Sequence, residues 1–278
     1  MKIFTTRENL HNYLDERRLN NKTIGLVPTM GALHNGHLSL LDFAKSQTDE
    51  VVCSIFVNPT QFTDPTDLEK YPRPIESDIK KLESAGCDVL FNPPVSEMYT
   101  ANETWHLNIG HLEHLLEGAI RPGHYQGVTQ IVSKLFNLIE PDIAFFGQKD
   151  YQQVLVIDKM VQLLNMKVKV VMCPIVREDG GLAMSSRNVY LNAADREHAL
   201  VLSKALNLAK EQFAHHTFTE LTNLATDFIN TEPGVKLDYF EIADGDSLYP
   251  ATPLSKKIVA LVAARVGNTR LIDNVILS

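Results

Sequence analysis

TIGLVPTMGALHNGHLSLLDFAKSQTDEVVCSIFV, residues 23–57, decides the fold. It opens on a β-branched apolar run ending at Pro28-Thr29 and turns through small residues. It continues as HLSLLDFAKSQ, with apolar residues at three- and four-residue spacing, and closes on a second apolar run, EVVCSIFV. Strand, turn, helix, strand is the βαβ unit, and strands this uniformly apolar belong in a parallel sheet covered on both faces.

Outward from that stretch the alternation repeats. CDVLFN (87–92), DIAFFG (142–147) and VKVVMC (168–173) are separated by the helical patterns QGVTQIVSKLFNLIE and YQQVLVIDKMVQLLN, and PIESDIKKLESAG precedes the first of them. The expectation is a doubly wound parallel α/β sheet, Rossmann-like, over residues 1–176. After Val176 two helical stretches, near residues 193–215 and 219–231, lead into VKLDYFEIADGDSL, KKIVALVAARV and TRLIDNVIL. Consecutive strands without intervening helices predict an antiparallel layer, and hence a smaller C-terminal α+β domain over residues 177–278.

Composition bounds the function. At 278 residues, 44% hydrophobic and 22% charged, the chain reads as a folded, water-soluble protein large enough for two domains. Its 26 basic residues face 34 acidic ones, a net charge of −8 with no long basic run, which argues against a nucleic-acid partner. The most apolar stretch, residues 258–264, ends at Arg265, far short of the ~20 residues that span a bilayer. MKIFTTRENLHNYLDERR turns polar where a signal peptide needs an apolar segment, so a cytoplasmic location without a membrane partner is expected. Cys53, Cys87 and Cys173 form no CxxC pair, lie in or beside apolar runs, and read as buried thiols.

Open α/β sheets bind ligands outside the carboxyl ends of their strands, so the segments after each run carry the chemistry. The first, PTMGALHNGHLSLL, has Gly31 and Gly36 for a tight turn and sets His34 and His37 one helical turn apart at a helix N-terminus, where anions are favoured. His-x-x-His also suits a pair of capping or surface histidines, or two ligands of a metal, although no third ligand stands nearby. The second, FVNPTQF, offers the neutral amides of Asn58 and Gln61, able to donate and accept toward hydroxyl and carboxylate groups. FFGQKDYQQ brings Gly147, Lys149 and Asp150 to the start of a helix, and REDGGLAMSSRN follows a Gly-Gly turn with Ser185, Ser186 and Arg187. A loop of that kind can close on a triphosphate and stabilise charge on leaving pyrophosphate.

These segments resemble a known family. HNGH at 34–37 resembles the HIGH signature of the class I aminoacyl-tRNA synthetase and nucleotidylyltransferase superfamily, and MSSR at 184–187 resembles its KMSKS-like loop. More narrowly, VPTMGALHNGH, FVNPTQF, YPR, RPGHYQGV, GQKDYQQ and LAMSSRN, in that order, are similar to the pantoate–β-alanine ligases. The resemblance implies an ATP-dependent ligase that adenylates (R)-pantoate, releasing pyrophosphate, and then passes the pantoyl group to β-alanine, releasing AMP.

Carried over residue by residue, it implies that Met30, Gly31, Ala32, Leu33, His34, Asn35, Gly36 and His37 hold ATP, with both histidines at the phosphates and His37 as the acid. Gly147, Gln148, Lys149, Asp150, Val176, Met184, Ser185, Ser186 and Arg187 would complete the nucleotide site, with Lys149, Ser185 and Arg187 acting in catalysis. Gln61, Gln153 and Asn58 would take pantoate and β-alanine, Asp78 would associate with Mg²⁺, and the chain would form a homodimer. Three positions depart from the pattern: Gln148 replaces an acidic residue, Gly180 an expected Asp, and Ser77 precedes Asp78 where adjacent acids are common. The rival expectations are a nucleotidylyltransferase that keeps the nucleotide in its product, a tRNA synthetase without room for a tRNA-binding module, and a nucleotide-binding regulator without turnover.

Overall fold

The computed structural model describes residues 1–278. Six parallel strands, β1 (Lys2–Phe4), β2 (Ile24–Thr29), β3 (Glu50–Ile55), β4 (Val89–Phe91), β5 (Ile143–Gly147) and β6 (Lys169–Cys173), lie in the order β1-β4-β3-β2-β5-β6. Every residue of β3 and all of β2 except Pro28 are buried, which is why these strands read as unbroken apolar runs. From β2 the chain winds outward through β3 and β4, then returns to build β5 and β6 on the other side. The order therefore reverses between β2 and β5, and their carboxyl ends, Thr29 and Gly147, flank the crevice where such sheets bind ligands.

The helices are α1 (Arg7–Leu19), α2 (Asn35–Lys45), α3 (Pro65–Lys70), α4 (Ile75–Ser84), α5 (Val95–Met98), α6 (Leu116–Ile120), α7 (His124–Ile139) and α8 (Tyr151–Leu163). Leu41, Ala44 and Leu82 of α2 and α4 close over Val27, Cys53 and Leu90 as one buried cluster. The three cysteines are buried and unbridged, as their setting predicts, and burial pushes each thiol pKa up.

Strand β1 and helix α1 are not legible as periodic patterns. β1 is three residues on the sheet edge, and α1 buries only Leu10 and Leu14. Polar contacts hold α1 in place instead: Tyr13 and Arg17 both bind the buried Glu50 carboxylate at the start of β3, Arg17 at 2.9 Å. Thr6 caps the helix by accepting from the Asn9 N–H.

By its contacts the chain divides into Met1–Gly147 with Gln152–Cys173, and Gln148–Tyr151 with Pro174–Ser278. The four residues that leave β5 thus group with the second unit, a division that the strand–helix pattern does not reveal. That unit carries α9 (Ala193–Gln212), α10 (Phe218–Asn230) and an antiparallel sheet of β7 (Val235–Asp244), β8 (Ile258–Val266) and β9 (Thr269–Ile276) in the order β7-β8-β9. Ile258, Ala260 and Val262 on one face of β8 share a buried cluster with Leu206 of α9 and Leu221 and Ile229 of α10. Small residues on the central strand let two helices pack close. No helix is long and apolar enough to cross a membrane.

Candidate active site

The turn after β2 is built around a buried carboxylate. Gly31 and Ala32 both take positive φ, 83° and 51°, and a Cβ at Gly31 would lie 3.0 Å from Ile55 and 3.1 Å from Asp78. Only glycine fits that first position without strain. The unusual backbone turns successive N–H groups inward, and Asp78 accepts both, Ala32 N on Oδ2 and Leu33 N on Oδ1, each at 2.8 Å. Thr29 Oγ1 accepts the Gly31 N–H at 3.2 Å. Asp78 is 1% exposed with both oxygens engaged, and the chain holds no group of three or more His, Cys, Asp or Glu fit for a metal. The carboxylate thereby ties the turn to α4.

Gly36, expected to share in the turn, lies instead in the first turn of α2 without a positive φ. Its N–H donates to His34 Nδ1 at 3.2 Å, and the His34 N–H donates to His37 Nδ1 at 3.4 Å. The two histidines therefore cap the helix reciprocally, their rings 4.0 Å apart. Capping and ligand binding are compatible here. An Nδ1 that accepts a backbone N–H is unprotonated, so each neutral ring carries its proton on Nε2, as a donor at the positive end of a helix.

Beyond β3, Pro59–Gln61 forms a single helical turn that rests on α7. Asn58 is 1% exposed and wholly engaged: Nδ2 donates to Gln61 Oε1 at 3.1 Å and Gly127 O at 3.0 Å, while Oδ1 accepts from Tyr99 at 2.6 Å and Thr60 at 3.2 Å. Gln61 Nε2 points to Met30 Sδ at 3.1 Å. Gln61 and Met30 are thus brought together, and Asn58 stands behind them holding Gln61. Gln153 lies half-buried in α8, next to Gln152, whose amide binds Leu112 O, Leu115 O and the Glu117 N–H. A cavity of about 470 Å³ adjoins Met30 and Gly31, with Phe56, Leu68, Ile75 and Pro93 in its wall.

In the second unit, Gln148 and Lys149 are anchored by Asn274 of β9. The Asn274 amide donates to both of their carbonyls, at 2.9 and 3.0 Å, and accepts from Gln148 Nε2 at 3.0 Å. Lys149 Nζ stands 3.5 Å from the half-exposed Asp150 carboxylate. Met184 N donates to Val176 O at 3.0 Å, so the expected nucleotide residues Val176 and 184–187 meet at the mouth of one hairpin. Its tip turns through Gly180 and Gly181, both at positive φ. At its stem, Arg177 grips the buried Asp273 with two hydrogen bonds, at 2.6 and 3.1 Å. Burial pushes the Asp273 carboxyl up from its ordinary range, against the pull of Arg177. Glu178 binds both Asn188 Nδ2 and Arg196, bracing the segment just after the MSSR motif, where Ser185 Oγ accepts the Arg187 N–H at 3.2 Å.

Residue patterns gave no notice of Tyr99, Arg177, Glu178, Arg196, Asp273 or Asn274, all of which hold the expected residues in place. His124 and Gly127 lie in the RPGHYQGV segment, whose use becomes visible only where Gly127 meets the Pro59–Gln61 turn.

Comparison with known proteins matches residues 2–276 to the family model of pantoate-beta-alanine ligase. A pantothenate synthetase of Thermoanaerobacter pseudethanolicus is 47% identical over 270 residues, covering 96% of this chain and 95% of that one. One of Acetivibrio thermocellus is 46% identical, with 99% of each covered. Among solved structures, pantothenate synthetase from Thermus thermophilus superposes with a TM-score of 0.94 at 41% identity, covering 100% of this chain and 99% of that one. A pantoate-beta-alanine ligase from Francisella tularensis, complexed with beta-gamma ATP and beta-alanine, gives 0.83 at 36% identity, with 100% and 98% covered.

Proposed function

The chain belongs to the pantoate–β-alanine ligase family, an ATP-using ligase that makes pantothenate from pantoate and β-alanine, and from that premise we propose how its residues divide the work. A carboxylate is a poor acyl donor because its leaving group would be oxide. In the first step a pantoate carboxylate oxygen bonds to the α-phosphorus of ATP, and pyrophosphate leaves with the electrons of the broken P–O bond. In the second, the β-alanine nitrogen bonds to the acyl carbon, AMP leaves with the electrons of the C–O bond, and the nitrogen loses a proton.

The first step joins two anions, so its barrier falls with positive charge and fixed donors at the phosphates. His34 and His37 supply Nε2–H donors at the head of α2, and His37 serves as acid toward the phosphate oxygens. Lys149, Ser185, Ser186 and Arg187 bind the triphosphate and the departing pyrophosphate. The remaining residues of 30–37, with Gly147, Gln148, Asp150, Val176 and Met184, line the nucleotide, several through backbone groups. Gln61 and Gln153 bind pantoate, and Gln61 also meets β-alanine. Residues 1–176 carry ATP and pantoate, and residues 177–278 act as the lid. Mg²⁺ would enter with ATP near the Asp78 turn and would offset phosphate charge there. A cytoplasmic homodimer completes the proposal, its mass measurable by light scattering.

One observation carries this reading: the reciprocal cap that sets His34 and His37 side by side at the head of α2, on the turn at the strand-order reversal. The test follows pyrophosphate and AMP from ATP, Mg²⁺ and D-pantoate, with and without β-alanine. Pyrophosphate stoichiometric with enzyme on pantoate alone, and sustained AMP release only with β-alanine, is the expected result. A product that keeps the nucleotide would overturn it.

A further inference from the structure

The roles assigned above leave Tyr99, His124 and Gly127 unused, yet all three converge on the turn that carries Gln61. At Gly127 a Cβ would lie 2.3 Å from Thr60 O and 2.5 Å from Gln61 N, so the backbone of the turn rests directly on α7. His124 Nδ1 lies 2.7 Å from Gln61 O, an acceptor, so that nitrogen carries the proton and ties down the end of the turn. The turn's position is therefore fixed by α7, and what remains free is the direction of the Gln61 amide.

We propose that Tyr99 is a positioning residue that, by donating to the Asn58 oxygen, steadies the amide orientation through which Asn58 fixes the polarity of Gln61. The main-chain Gly127 O can only accept, so Nδ2 faces it and Oδ1 faces the Tyr99 hydroxyl at 2.6 Å, with Thr60 Oγ1 3.2 Å from both Oδ1 and the Tyr99 oxygen. Nδ2 is then turned to the other side, where its two N–H groups find Gly127 O and Gln61 Oε1. With Oε1 held, Gln61 presents Nε2 to a ligand. In the absence of one, that donor rests on Met30 Sδ, a weak acceptor that a carboxylate or hydroxyl oxygen displaces at little cost. Burial pushes the Tyr99 pKa up to about 12, so the phenol stays a donor throughout the neutral range. The relay selects for an oxygen acceptor at Gln61, the chemistry of an α-hydroxy carboxylate.

This inference rests on the reading of Gln61 as a substrate contact, so the test carries both. Steady-state KM for pantoate and for ATP is measured for Gln61→Ala, Tyr99→Phe and the double variant, with thermal midpoints alongside. Tyr99→Phe keeps the ring beside Phe56 and under Lys134 Nζ, so the fold is retained. The expected result is a rise of about three- to tenfold in KM for pantoate in Tyr99→Phe, on the scale of one hydrogen bond, with KM for ATP unchanged. In the Gln61→Ala background Tyr99→Phe should add nothing, because the group it orients is gone. A wild-type pantoate KM in Tyr99→Phe, or an equal further rise in the double variant, overturns the relay while leaving the Gln61 reading standing. An unchanged KM in Gln61→Ala overturns both.

Discussion

The two loops proposed to meet the triphosphate are built in opposite ways. Residues 30–37 are held by their own backbone: two N–H groups on a buried carboxylate, a third on Thr29, and two rings capping the helix that the loop begins. Residues 177–187 are held from behind, by Arg177 on Asp273 and by Glu178 between Asn188 and Arg196, and they offer side-chain donors at the end of a braced hairpin. In the first loop the histidines proposed to bind ligand also maintain the shape, whereas in the second most of the bracing comes from residues outside the MSSR motif, Ser185 excepted. Substitutions should therefore mix binding with local stability in the first loop and separate them in the second.

The largest effect expected is on turnover. His37→Ala removes an Nε2–H donor that acts where charge develops, and losses of this kind run to about 10²–10³-fold in rate. The same substitution deletes the acceptor of the His34 N–H, so stability should also fall, by about 1 kcal/mol, the scale of an N-cap. Stopped-time pyrophosphate release and urea unfolding measure the two together. A rate within tenfold of wild type removes His37 from the phosphates.

Next in size is a stability effect confined to the second unit. Arg177→Ala strands Asp273, which is 4% exposed, and breaking a buried pair from one side costs about 3–5 kcal/mol. Replacing both partners, as Arg177→Met with Asp273→Leu, should recover much of that loss, since no buried charge is left unpaired. Urea unfolding followed by amide exchange locates the change; a loss spread evenly over β2 and β3 would contradict it.

Asp78→Asn tests the first loop's mixed character. One carboxylate oxygen becomes an NH₂ that faces a backbone N–H, so one buried donor loses its acceptor, a cost of about 1–3 kcal/mol. The loop that would cradle ATP is loosened by the same change, so KM for ATP should rise alongside the fall in unfolding midpoint. A stability loss with unchanged ATP affinity would show that the clamp serves the fold alone.

Asp78 also shows where sequence reading stops. Strands β2 and β3 are legible because burial on both faces leaves unbroken apolar runs, and helices α2 and α4 because one-sided packing leaves three- and four-residue spacing, whereas the short α3, α5 and α6 leave no such pattern. The histidine pair and the MSSR loop were legible as motifs of local spacing. The Asp78 clamp joins residues 46 apart in the chain, and the Gln148–Asn274 pair joins residues 126 apart, so no local pattern announces either. α1 escaped notice for a related reason: it docks through Tyr13 and Arg17 on Glu50, polar contacts that leave no apolar stripe to read.

The smallest expected effect concerns Gln148, the position where the family pattern favours an acid. Its Nε2 donates to Asn274 Oδ1, and Asn274 cannot turn over to offer a donor instead, because its Nδ2 already serves the carbonyls of Gln148 and Lys149. Gln148→Glu would set a carboxylate oxygen against Oδ1, losing one hydrogen bond at a half-buried site, about 1 kcal/mol in unfolding free energy. The backbone around Lys149 remains held by the other two bonds, so kcat should stay within twofold of wild type. A loss beyond tenfold would mean that residue 148 works through its side chain, and that the amide at this position was matched to Asn274 for catalysis as well as for the fold.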